Sequence, residues 1–72
     1  MNILLEKLTE IFEEDNLDLT LRVDDYDSWD SLTVLSIIAM LDSDYGINLT
    51  KKELEDFENI GSLCNYILQN AK

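Results

Sequence analysis

The apolar residues of this chain fall into blocks of different period. Leu4, Leu5, Leu8, Ile11 and Phe12 recur at three- and four-residue intervals, with Glu6, Lys7, Glu10, Glu13 and Glu14 between them. That spacing gathers apolar side chains on one side of a helix, so it predicts a first helix over about 3 to 15 with Asn2 as its cap. Leu17, Leu19, Leu21 and Val23 then alternate with Asp18, Thr20, Arg22 and Asp24. Alternation is the period of a strand, yet no second segment alternates and a lone strand has nothing to pair with. Residues 16 to 29 are therefore expected as an extended loop pressing its apolar side chains onto a helical core.

From Ser31 to Tyr45 the chain is apolar, rich in helix formers and free of Gly and Pro, and Gly46 supplies the stop. Thr50-Lys51-Lys52-Glu53 matches the reciprocal capping box, with Leu49 and Leu54 as its hydrophobic staple, so a short third helix is expected over about 50 to 57. Asn59 caps a fourth, in which Ile60, Leu63, Cys64 and Ile67 share a face beside Tyr66. Gly61 falls in its first turn, where a glycine costs least. The expected fold is all-α: a small four-helix bundle of three main helices and a short third one, with a long first loop. At 72 residues it forms a single domain over 1–72 with one modest core.

The period also shows that the second helix has two apolar faces. Val34, Ile37, Ile38, Leu41 and Tyr45 make a core-facing stripe, while Leu32, Leu35 and Ala39 fall on the opposite side with Ser36 and Ser43, flanked by Asp42. An apolar strip with a polar rim reads as a docking surface. The plainer account is that the loop from 16 to 29 covers it.

Charge narrows the range of partners. Sixteen Asp and Glu against five Lys and Arg leave a formal charge of −11, which repels phosphate backbones and anionic lipid surfaces and favours basic proteins. Solubility alone is the simpler reason for such a surface. There is one cysteine and no histidine, so no internal disulfide forms, and neither the usual zinc constellations nor His-based acid–base catalysis is available. The cytosol is the default setting. The opening MNILLEKL lacks the features of a signal peptide or a membrane span. No metal site is expected: Asp42, Asp44 and Glu53 sit at calcium-loop offsets, but Ile47 stands where that loop requires glycine. Asp24-Asp25-Tyr26-Asp27 reads as a solvated loop, and Cys64 as a small buried apolar group.

The candidate chemistry lies in the stretch YDSWDSLTVL at 26 to 35, where two Asp-Ser pairs flank a tryptophan. Ser31 is an enzymatic nucleophile only with a base beside it, and the histidine that usually serves is missing. A serine is also a point of attachment. At a helix start, a phosphate on its hydroxyl is favoured by the free backbone N–H groups and the helix dipole.

Asp30-Ser31-Leu32 at the head of an amphipathic helix resembles the Asp-Ser-Leu signature of the acyl carrier protein family. The likeness extends along nearly the whole chain: size, acidic balance, long first loop, Tyr45 closing the second helix, Ile47 and Leu49 ahead of the third, and Tyr66-Ile67 near the end. It implies that Ser31 carries covalent 4'-phosphopantetheine, with Asp30 and Leu32 completing the motif. The chain is then a carrier that holds an acyl group as a thioester and catalyses nothing. Its implied partners are a phosphopantetheinyl transferase and acyl-transferring or condensing enzymes with basic docking patches, met by Asp30, Leu32, Leu35, Ala39 and Asp42. Ile37, Ile38, Leu41, Leu49 and Leu54 are candidates to line an acyl cavity, and the carrier is expected to be a monomer.

By the same likeness, Asp27 and Ser28 belong to the preceding loop, with turn or local capping contacts expected of them. Trp29 stands where many members have a small residue and is read as an aromatic anchor or as the mark of a specialised carrier. The second helix has fewer glutamates than is usual in fatty-acid carriers, which points to another pathway. Two alternatives stay open: an aminoacyl, peptidyl or D-alanyl carrier, and an unmodified acidic helical domain that binds proteins.

Overall fold

The computed structural model describes residues 2–71, and of Asn2 only the backbone, so the expected cap at Asn2 lies outside the described side chains. The described residues form the expected all-helical bundle. Its first helix, α1 (Asn2–Phe12), stops short of residue 15 because Glu13 turns into the left-handed region at φ 58°. The Glu13 N–H then donates to Glu10 O at 3.2 Å and the Glu14 N–H to Thr9 O at 3.0 Å. These two bonds close a Schellman motif, satisfying carbonyls the helix end would leave open. A side chain in that backbone region costs about 1–2 kcal/mol, which glycine, the usual occupant, avoids. The acidic run from Glu13 to Asp15 thus lies just past the helix end.

The loop that follows contains no strand, and its alternation is resolved by packing. Leu17 and Val23 are buried, Leu19 is half-buried and Leu21 is exposed. Val23–Asp25 form a single 3₁₀ turn, braced where the Arg22 N–H donates to Asp25 Oδ2 at 2.9 Å. Instead of pairing as a strand, the loop offers two carbonyls to the last helix: Leu21 O accepts from the Ile60 N–H at 2.8 Å and Leu19 O from the Gly61 N–H at 2.9 Å. A Cβ on residue 61 would sit 3.3 Å from Leu19 O and 3.2 Å from Asn59 Oδ1. Glycine at 61 therefore admits the loop backbone, a role beyond low cost in a first turn.

The second helix, α2 (Ser31–Met40), runs on into a π-helical turn, Leu41–Tyr45, so the helical stretch spans the expected residues with a wider last turn. Leu41 O accepts from the N–H groups of both Gly46 and Ile47, and Gly46 sits at φ 65°, ψ 29°, where glycine is favoured. Lys7 ties this end to α1: its Nζ lies 2.7 Å from Asp44 Oδ2 and 5.4 Å from the Tyr45 ring centroid. In α3 (Lys51–Asp56) both halves of the capping box form, Thr50 Oγ1 accepting from the Glu53 N–H at 3.2 Å and Glu53 Oε1 from the Thr50 N–H at 3.0 Å. Leu49 and Leu54 are buried on either side. Asn59 caps α4 (Ile60–Asn70), accepting from the Ser62 N–H at 2.8 Å. Cys64 is in the core, and burial raises its thiol pKa above the ordinary 9.0.

Candidate attachment site

The site begins with a cap. Asp30 has extended backbone, and its Oδ1 accepts from the Thr33 N–H at 2.8 Å, the side-chain-to-third-residue bond that starts α2. The Thr33 N–H, with a further bond from the Thr33 side chain, holds the Asp30 carboxyl below its ordinary 3.8, so it is ionised at neutral pH. Thr33, buried beneath it, was not legible as part of the site. Its partner Asp30 was, through the Asp-Ser-Leu triplet.

Ser31 is the first residue of α2, and its side chain is exposed. Among the described residues its hydroxyl makes no hydrogen bond, so no group there activates it as a nucleophile. An exposed, unengaged hydroxyl at the positive end of a helix fits a phosphate ester well.

Beyond Ser31 the two faces of α2 separate. Val34, Ile37 and Leu41 are buried, and Ile38 packs at the edge of the core. Leu32 and Leu35 are 75% and 62% exposed, and Ala39 and Asp42 are exposed with them. The loop does not cover this strip; its buried side chains join the core instead. The acyl-cavity candidates are distributed differently. Ile37, Leu41 and Leu54 are fully enclosed by core neighbours, while Leu49 is both a core residue and a wall of a surface pocket of about 230 Å³, lined also by Glu53, Asp56, Phe57 and Tyr66.

Trp29 is an anchor. Its ring stacks on Phe12 at 6.0 Å between centroids, 16° from parallel, and Tyr26 meets Phe12 from another side at 5.4 Å. Its indole N–H donates to Glu55 Oε2 at 2.8 Å. The Tyr26 hydroxyl in turn accepts from the Asp18 N–H at 2.7 Å. Glu55 and Phe12 carried no sign of this in the chain, since they lie far from Trp29 in sequence and share no period with it. Ser28 lies in the expected turn, but its Oγ is buried and, among the described residues, has no hydrogen-bond partner, so it makes no capping contact. The turn there is held by backbone alone, the Trp29 N–H donating to Tyr26 O at 3.1 Å.

Comparison with known proteins places these features in a family. A family model described as a phosphopantetheine attachment site matches residues 2–67, which takes in α1, the long loop and α2 with Ser31 at its start. No curated protein and no solved structure matched the chain.

Proposed function

The chain belongs to the phosphopantetheine attachment family, whose members are carriers and not catalysts and bear 4'-phosphopantetheine covalently; on that premise we propose that Ser31 is the attachment residue and that the cargo is an acyl group. The observation that carries the first part is the exposed, unengaged Ser31 hydroxyl at the start of α2, directly after the Asp30 cap. When attached, the group supplies a terminal thiol that holds cargo as a thioester. Asp30 fixes the first turn of α2 by its bond to Thr33, and Leu32 completes the motif from the exposed side.

Partner enzymes, the transferase among them, are expected to meet Leu32, Leu35 and Ala39 with Asp30 and Asp42 at the rim. Charge complementarity then favours basic patches on those enzymes. For the cargo, support comes from Leu49, which joins the apolar core to the surface pocket beside Phe57 and so offers an apolar chain a way in. Ile37, Ile38, Leu41 and Leu54 would have to yield for it to go deeper. An aminoacyl or D-alanyl cargo uses the same attachment and is distinguished by the mass found on the native protein. No described helix is long and apolar enough to cross a membrane, and one buried thiol suits the cytosol.

Incubation with a broadly tolerant phosphopantetheinyl transferase, coenzyme A and magnesium should add one pantetheine mass to the wild-type chain. Ser31→Ala should abolish the addition and Ser28→Ala should leave it intact. Loading that survives Ser31→Ala but not Ser28→Ala places the attachment in the wrong pair. Loading by none of the three removes the carrier reading in favour of an acidic binding domain.

A further inference from the structure

At the end of the loop, residues 29 and 30 bring the chain to Ser31, the proposed attachment residue. Asp30 is bonded forward into α2 through Thr33. That bond orients the helix start. One residue upstream, beyond the backbone bond of its N–H to Tyr26 O, Trp29 is stacked on the buried Phe12 of α1 and bonded through its side chain to Glu55 of α3. A bond from a neutral donor to a carboxylate in a partly buried setting is stronger than an ordinary one.

Glu55 is held twice over. Its carbonyl accepts from the Arg22 guanidinium at 2.6 Å, and its Oε2, which accepts from the indole N–H, also lies 3.9 Å from Lys51 Nζ. Arg22 and Trp29 both belong to the loop that leads into Ser31. A helix of six residues is too short to hold itself in place by its own hydrogen bonds, so α3 is located by what it touches. The loop grips it at one residue, from two directions. Packing alone would explain a large aromatic ring here, but not an indole N–H aimed at a carboxylate whose own backbone is tied to the same loop.

We propose that Trp29 is the positioning residue of the attachment site and that Glu55 is its anchor, so that Ser31 and α3 hold position together. The proposal rests on the carrier reading for its functional consequence. A hydroxyl that must enter another enzyme's active site is presented within a narrow tolerance, and misplacement by a fraction of an ångström slows transfer. Removing the anchor frees the segment before Ser31 and loosens α3 at the same time.

Three variants test this, each assayed at a temperature where circular dichroism shows it folded. Trp29→Phe keeps a ring on Phe12 and removes the donor; Glu55→Ala keeps the stack and removes the acceptor; Glu55→Gln keeps an acceptor oxygen. In the unmodified chain, amide relaxation should show lower order parameters at Ser31 and across Lys51–Asp56 for Trp29→Phe and Glu55→Ala, with Glu55→Gln near wild type. Transfer of pantetheine from coenzyme A should fall about tenfold in kcat/KM for the same two and recover with Glu55→Gln. Folded Trp29→Phe and Glu55→Ala that keep wild-type order parameters and load at the wild-type rate overturn the proposal. Should Trp29→Phe fail to fold, Glu55→Ala carries the test, because its aromatic stack is untouched. A wild-type chain that never loads sinks the carrier reading, and the relaxation arm then decides by itself whether Trp29 and Glu55 hold residue 31 to α3.

Discussion

The two faces of α2 are built from the same kinds of residue and meet opposite fates. Ile37 on the inner face has no exposed surface, while Leu35, two positions earlier and just as apolar, is 62% exposed. Hydrophobicity therefore does not decide burial here; direction does, because a small bundle has one core and a helix can turn only one side to it. Leaving Leu32 and Leu35 in water brings the isolated chain no stability, and the proposed docking of partner enzymes would give them a use. The serines repeat the contrast at the head of the helix. Ser28 Oγ is turned inward and finds no partner among the described residues, whereas Ser31 is turned outward.

The largest effect expected from this contrast is on the inner face. Ile37→Ala should cost about 2–5 kcal/mol, the usual range for opening a cavity in a packed core. That is most of what a domain of this size has to spend. Leu35→Lys should leave the thermal midpoint within a few degrees of wild type while slowing transfer to partner enzymes. Circular dichroism melts of the two variants side by side decide it, and equal losses would place Leu35 in the core.

A smaller effect is expected where the faces meet, at Asp30. Its folded pKa is held below the ordinary 3.8, first by the Thr33 N–H, so the contribution of its charge is present above that value. The contribution is lost as pH falls through the lower, folded value. Asp30→Asn retains a cap oxygen and removes the charge, so wild type should melt above the variant at neutral pH, and the gap should close below pH 3.8. A gap that persists in acid shows that the carboxylate acts through shape and not through charge.

The smallest effect should come from Ser28. Deleting a buried hydroxyl that bonds to nothing relieves its desolvation penalty, so Ser28→Ala should be neutral or stabilising by less than about 0.5 kcal/mol. A clear loss of stability by denaturant titration would mean that the hydroxyl has a partner after all, such as a bound water.

The sequence by itself determined whatever depends on residues a few positions apart. The caps at Thr50 and Asn59 were legible because each bonds a backbone N–H three residues on. The inner and outer faces of α2 followed from the helical period, and the Asp-Ser-Leu triplet pointed to the family by local pattern. Tertiary structure decided the rest. The end of α1 at Phe12 depends on Glu13 accepting a left-handed backbone, which periodicity does not register. Loop alternation was broken when the carbonyls of Leu19 and Leu21 turned to the N–H groups of α4, a partner distant in the chain. Trp29 could be read as an anchor, but its partners Phe12 and Glu55 lie on helices to either side of the loop and meet only when the bundle closes. Contacts within a turn are dictated by backbone geometry, whereas contacts between elements depend on how the whole core packs, and no short stretch of chain holds that information.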